Sequence, residues 1–98
     1  MTRTKLTDHE IDTALATLAG WHREGATITR EFAFESYEAG VAFAVQTALH
    51  AQRIDHHPDL LITWRRVTVT WSTHDASGVT RRDLEAAADV SRFALAQT

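Results

Sequence analysis

The stretch VTVTWST, residues 67–73, decides the fold, because apolar and hydroxyl side chains alternate along it. Successive side chains of a β-strand point to opposite faces, so Val67, Val69 and Trp71 would share one face and the hydroxyls the other. This alternation is typical of an antiparallel sheet that packs one face on a core and leaves the other in water. The stretch therefore predicts a strand in a half-buried sheet.

Patterns on either side of this strand predict three more strands and three helices. Strands are expected at residues 21–23, 26–34 and 60–64, with a hairpin turn at Glu24-Gly25. Helices are expected at residues 8–19, 37–53 and 81–96. The order αββαββα predicts an α+β fold, a four-stranded antiparallel sheet with three helices packed on one face.

Sequence signals mark where each predicted helix begins. Thr7 and Glu10, like Thr80 and Asp83, have the spacing of a capping box, and Ser36 is a suitable N-cap. Asp83 is therefore expected first of all as a helix-start residue.

Length and composition narrow the classes of protein. The 98 residues suit one domain spanning 1–98, and a core this small favours association into a homo-oligomer. The net charge of −3 argues against a nucleic-acid partner, and the absence of cysteine excludes disulfides and thiolate chemistry. Neither an apolar run long enough for a membrane span nor a signal-peptide core is present, so we expect a cytoplasmic protein without a membrane partner.

Three of the six histidines fall where a sheet protein builds sites. His56 and His57 lie in the loop before Pro58, and His74 lies just past the predicted strand at 67–73. Histidine exchanges protons near neutral pH, so a cluster of imidazoles suits general acid–base catalysis. Three imidazoles can also bind catalytic zinc, although an adjacent pair lacks the helical spacing of common zinc motifs. A polar loop without a function is the third interpretation of the adjacent pair.

The same residues carry a family resemblance. The run Asp55-His56-His57-Pro58, then Trp64, the strand ending in Thr73-His74, and the later Asp83 resemble the signature of the pterin-4a-carbinolamine dehydratases. Gly20-Trp21 and the Phe32-x-Phe34 strand also match, so the resemblance covers nearly the whole chain.

The resemblance implies an enzyme that removes water from 4a-hydroxytetrahydropterin to give quinonoid dihydropterin. Such an enzyme recycles the cofactor of pterin-dependent aromatic amino acid hydroxylases and itself needs no metal or organic cofactor. Family members form homodimers or homotetramers.

The resemblance also implies roles for individual residues. His56 and His74 would be acids that protonate the departing hydroxyl, and His57 would bind the pterin and act as the base. Asp55 would orient an imidazole. The pocket would be bordered or completed by five further residues: Gln52 at its edge, Pro58, Trp64, Arg82 and Asp83.

One residue departs from the family pattern. Gln52 stands where the family typically has glutamate or another ionisable residue, and an amide cannot exchange a proton at neutral pH. This substitution favours the alternative that the chain is a catalytically weak pterin-binding, regulatory or dimerisation module; animal members also act as dimerisation cofactors of a homeodomain transcription factor.

Overall fold

The computed structural model describes residues 4–96, and its elements follow the predicted order. The helices are α1 (Asp8–Leu15), α2 (Tyr37–Ile54) and α3 (Arg81–Leu95), and a short 3₁₀ turn covers His74–Ala76. The strands are β1 (His22–Glu24), β2 (Thr27–Ala33), β3 (Asp59–Thr63) and β4 (Arg66–Trp71). All pairs are antiparallel in the order β1-β2-β4-β3, which confirms the predicted α+β fold.

The two faces of the sheet differ as the alternation predicted. Val67, Val69 and Trp71 of β4 are fully buried beneath the helices, next to Ile28 and Phe32 of β2. Thr68 and Thr70 point to the other face, where the Thr70 hydroxyl lies 3.0 Å from that of Thr29. The sheet therefore buries one face only, and all of its helices share that face.

Aromatic packing fixes α2 across the centre of the sheet. The ring of Phe43 lies 4.8 Å from that of Phe32 and 5.2 Å from that of Phe34, measured between centroids. Gly40 allows the helix to approach closely, because a Cβ there would lie 3.4 Å from Val67 Cγ2. This packing brings the C-terminal end of α2 to the Trp71 end of β4, where the loop with the adjacent histidines meets His74.

Helix α1 is shorter than the predicted 8–19. It begins as expected, since Thr7 and Glu10 form a capping box. It ends at Leu15 because the Thr17 hydroxyl donates to the Ala14 carbonyl at 2.8 Å, and such side-chain bonds compete with the helical pattern. Tight turns then lead to Gly20, whose φ of +89° ends the segment.

Helices α2 and α3 begin at their predicted residues, 37 and 81, and the other boundaries outside α1 shift by one or two residues. Ser36 caps α2 by accepting from the Ala39 N–H at 3.1 Å, as predicted. Strand β4 ends at Trp71 and not at residue 73, because Thr73 pairs with Gly78 across the 3₁₀ turn. Among residues 4–96, no helix has the length and apolar character needed to cross a membrane.

Substitution of Gly20 tests the turn that follows α1. We expect Gly20→Ala to lower the free energy of unfolding by about 2–3 kcal/mol, measured by urea denaturation. The new Cβ would lie 2.6 Å from Arg30 Nε and would also stand at φ +89°. Displacing Arg30 would break its 2.9 Å hydrogen bond to the Ala19 carbonyl.

Gly25→Ala is the matched control for this substitution. Gly25 also has a positive φ of +60°, but no atom lies within 4 Å of the Cβ position. Its cost should be about 1 kcal/mol, from backbone strain alone. Equal costs for the two substitutions would contradict the proposed role of the Arg30 contact.

Candidate active site

A cleft of about 420 Å³ lies where α2 and β4 end. The loop 55–59, the segment 72–75 and Arg82 line this cleft. It contains all three histidines that the sequence singled out, although His74 is 17 or more residues from the other two. The fold therefore brings together one loop and one strand end that are separate in the sequence.

The end of α2 determines how the adjacent histidines are presented. Asp55 is the C-cap and adopts a left-handed conformation with φ 52°, and the His56 N–H donates back to the Ala51 carbonyl at 3.1 Å. Pro58 disfavours a helical conformation of the residue before it, so the chain leaves the helix here. The turn sends His56 into the core, where it is 7% exposed, and leaves His57 on the surface.

The imidazole of His56 is held between a carboxylate and an indole. Its Nε2 lies 2.5 Å from Asp83 Oδ1, and both side chains are almost fully buried. Its ring stacks on Trp71 with a centroid distance of 5.2 Å and an interplanar angle of 18°. The hydrogen bond to a carboxylate and the stacking on an indole together fix the orientation of the imidazole in the wall of the cleft.

Asp83 is itself fully hydrogen-bonded. Its Oδ2 accepts from the Thr80 backbone N–H at 2.9 Å and from the Thr73 hydroxyl at 2.8 Å. It also lies in the first turn of α3, where the helix dipole favours a negative charge. These donors make it possible to bury a charge that would otherwise be costly.

His57 has a different kind of partner. Its Nε2 lies 3.0 Å from Oε1 of Gln52, which is in the last turn of α2. Both residues are exposed, and the partner is a neutral amide. The two adjacent imidazoles thus have different hydrogen-bond partners: a carboxylate for His56 and an amide for His57.

His74 opens the 3₁₀ turn that follows β4 and is exposed to solvent. The Thr73 N–H donates to the Gly78 carbonyl at 2.9 Å, which closes this turn against the start of α3. His74 thus lines the cleft from the segment that follows β4, whereas His56 and His57 line it from the loop 55–59.

Arg82 ties the end of α2 to α3. Its Nη2 donates to the carbonyl oxygens of Ile54 and Asp55, at 2.8 and 3.0 Å. These carbonyls end α2, where a cation is favourable because the helix dipole is negative there. Arg82 thus fixes the turn that presents both adjacent histidines.

The family model described as pterin 4 alpha carbinolamine dehydratase matches residues 4–93 of the chain. The chain belongs to this family. A member from Nocardia farcinica, provisionally named a pterin-4-alpha-carbinolamine dehydratase, is 44% identical over 94 residues, covering 96% of this chain and 99% of its own length. A member from Roseiflexus castenholzii with the same provisional name is 44% identical over 88 residues, covering 90% and 95%.

Solved structures agree with the fold. The crystal structure of a transcriptional coactivator/pterin dehydratase from Brucella melitensis matches with a TM-score of 0.89 and 36% identity, covering 93% of this chain and 99% of that one. A pterin dehydratase-like protein identified as a RuBisCO assembly factor in the α-carboxysome matches with a TM-score of 0.63 at 21% identity, over 76% of this chain and 86% of that one. The second likeness concerns the fold alone.

Most of the site residues expected from the family signature lie together. The three histidines, Asp55, Pro58 and Arg82 line the cleft, and Gln52 contacts His57. Asp83, which was expected at the border, lies behind the wall and orients His56. Asp55 was expected to orient an imidazole, but its contacts with the site run through its backbone.

Trp64 is not brought to the cleft. It follows the far end of β3, is 73% exposed, and its ring lies under the Arg65 guanidinium at 4.9 Å. Among residues 4–96, no group of three or more histidine or acidic side chains is arranged to bind a metal ion. The zinc alternative therefore finds no ligand set in the described part of the chain.

Thr73, Thr80 and Trp71 support the site, and the sequence did not single them out for that role. Thr73 and Trp71 matched the strand pattern, and Thr80 matched a capping box, so each already had a structural explanation. Their contacts with Asp83 and His56 depend on the packing of α2, α3 and β4, which no local pattern encodes.

Substitution of Asp83 tests its role as a shared acceptor. We expect Asp83→Ala to lower the free energy of unfolding by about 3–5 kcal/mol, because it leaves three buried donors without an acceptor. Asp83→Asn should cost less, since one amide oxygen can still accept. Urea denaturation measures both changes.

Glu85→Ala is the control, because Glu85 is an exposed acidic residue on the same helix. It should change the free energy of unfolding by no more than about 0.5 kcal/mol. A comparable loss for Glu85→Ala and Asp83→Ala would refute the role of the buried network.

Proposed function

We propose that the chain is a dehydratase that converts 4a-hydroxytetrahydropterin to quinonoid dihydropterin and water. The observation that carries this proposal is the pair of adjacent imidazoles with unlike partners, Asp83 and Gln52, in one cleft. Membership of the family supports the substrate class, and the cleft volume is within the range of small-molecule sites.

The reaction needs one acid and one base. The C4a hydroxyl leaves as water once it is protonated, and the N5–H proton is lost as the C=N bond forms. No electrons are exchanged with a second reactant, so acid–base groups suffice. Each such proton transfer typically contributes a factor of about 10² to 10⁴ in rate.

The partners of the histidines support an assignment of these roles. His56 is hydrogen-bonded to a carboxylate, a partner that suits the role of acid. His57 is paired with a neutral amide and suits a base. His74, which lines the cleft from the segment after β4, suits a second acid acting on the other face of the flat ring.

Replacement of His57 tests the proposal. A pterin-dependent phenylalanine hydroxylase would generate the 4a-hydroxytetrahydropterin, and ultraviolet absorbance would follow its decay above the uncatalysed baseline. We expect His57→Ala to lower the catalysed rate by about 10²- to 10⁴-fold. The fold should be retained, because His57 is exposed and its only side-chain hydrogen bond within residues 4–96 is to Gln52.

His22→Ala is the matched control. His22 is exposed and lies on β1, which forms the edge of the sheet opposite β3. It should retain the wild-type rate. Baseline decay with the wild type would refute the dehydratase and favour a pterin-binding or regulatory module, the alternative that the neutral Gln52 supports.

We also propose that the chain acts as a homo-oligomer and that a pterin-dependent hydroxylase supplies its substrate. Two surfaces support self-association, because large apolar side chains are exposed on both. Val45 and Leu49 are 52% and 55% exposed on α2, and Leu61 and Ile62 are 60% and 40% exposed on the edge strand β3. Exposed apolar patches of this kind often mark interfaces.

Charge substitutions test the two surfaces separately. If both form interfaces, the wild type is a tetramer, and Leu49→Lys and Leu61→Lys each reduce it to a dimer by light scattering after size exclusion. Ala26→Lys, in the exposed hairpin turn between β1 and β2, should not change the mass. A monomeric wild type would contradict self-association.

A further inference from the structure

The contact between His57 and Gln52 bears on which ring nitrogen of His57 carries the hydrogen. Nε2 of His57 lies 3.0 Å from Gln52 Oε1. An amide oxygen can only accept a hydrogen bond, so this contact is a hydrogen bond when the imidazole nitrogen that faces the oxygen carries the hydrogen. When His57 is neutral, its lone pair is then on Nδ1.

We propose that Gln52 is a positioning residue that holds neutral His57 in the Nε2–H tautomer, so that Nδ1 is the nitrogen that removes the substrate proton. This inference rests on the dehydratase function proposed above. It gives Gln52 a role in the reaction although its amide exchanges no proton itself.

An amide and a carboxylate would act differently at this position. Both accept from Nε2–H and orient the ring, but only a carboxylate stabilises the positive charge of an imidazolium. Gln52 therefore orients His57 through a neutral acceptor, whereas the acceptor that orients His56 is the carboxylate of Asp83. Environments that differ in this way separate an acid from a base.

The backbone at the end of α2 brings His57 and Gln52 into contact. Gln52 lies in the last turn of α2, and the left-handed Asp55 turns the chain so that His57 lies beside that turn. Arg82 holds the same turn by its bonds to Ile54 and Asp55. The orientation of the base is thus set by the end of α2.

A test of this contact must leave the other titratable and charged residues around His57 unchanged. They are Arg53 at the end of α2, Asp55 and His56 in the loop, Asp59 on β3, His74 and Asp75 in the 3₁₀ turn, and Arg82 on α3. Variants of Gln52 leave all of them in place.

The test compares Gln52→Glu and Gln52→Ala with Arg53→Gln in the full chain. Arg53→Gln is the matched control, because it also lowers the net charge by one unit and lies next to Gln52 on the exposed end of α2. Two-bond ¹H–¹⁵N NMR spectra across a pH titration give the tautomer and the midpoint for His57 without any substrate. The dehydration assay across the same pH range gives the rate profile.

We expect the Nε2–H tautomer in the wild type. Gln52→Glu should move the His57 titration midpoint up by about one pH unit, and the acidic limb of the rate profile with it. On that limb its rate should be about tenfold below the wild type, while the plateau at higher pH stays within about twofold. Gln52→Ala should mix the two tautomers and lower the plateau without moving the limb. Arg53→Gln should match the wild type in both measurements.

Two results would overturn the inference: a wild-type His57 in the Nδ1–H tautomer, or a Gln52→Glu titration that coincides with that of Arg53→Gln. A wild type that does not accelerate dehydration would overturn the proposed function, and with it the base role of Nδ1. The NMR spectra would still decide the tautomer in that case, so the two failures are distinguishable.

Discussion

The buried carboxylate of Asp83 joins three parts of the chain, of which the loop after α2 is the most distant in sequence, at 27 residues. It accepts from the loop after α2 through His56, from the end of β4 through Thr73, and from its own helix through Thr80. A buried charge is tolerated only while such donors surround it, so these three parts must assemble together. The cleft lies where these parts meet, directly in front of this buried side chain.

The stacking of His56 on Trp71 connects the same carboxylate to the core. Trp71 is fully buried at the end of the alternating strand that organises the sheet. The hydrophobic core and the polar network are therefore continuous, and the imidazole belongs to both. His57, one residue later, belongs to neither and is held only by the end of α2. This contrast explains how neighbouring residues of one type can have unlike chemistry.

Local patterns predicted the elements well because each depends on neighbouring residues. The alternation at 67–73 identified β4, and the spacing of Thr80 and Asp83 placed the start of α3. The predicted end of α1, at residue 19, was wrong. The helix ends earlier because of a side-chain hydrogen bond from Thr17, which the spacing of apolar residues does not indicate.

The candidate site was predicted as a group of residues but not as a set of contacts. The three histidines do share a cleft, yet the partner of His56 lies 27 residues away on another helix. That contact depends on the packing of α2 through Phe43 against β2, which no short pattern encodes. Trp64 fitted the family signature by position, but strand β3 carries it away from the histidine loop.

The outer face of α2 places His57, the proposed base, beside an apolar surface. Val45, Leu49 and Gln52 are spaced by four and three residues, so they lie on one side of the helix. A second copy of the chain that covered Val45 and Leu49 would border the hydrogen bond between Gln52 and His57 and shield it from water. Hydrogen bonds strengthen when water is excluded. Assembly and proton transfer would then be coupled through one helix face, and the activity per chain would fall on dilution.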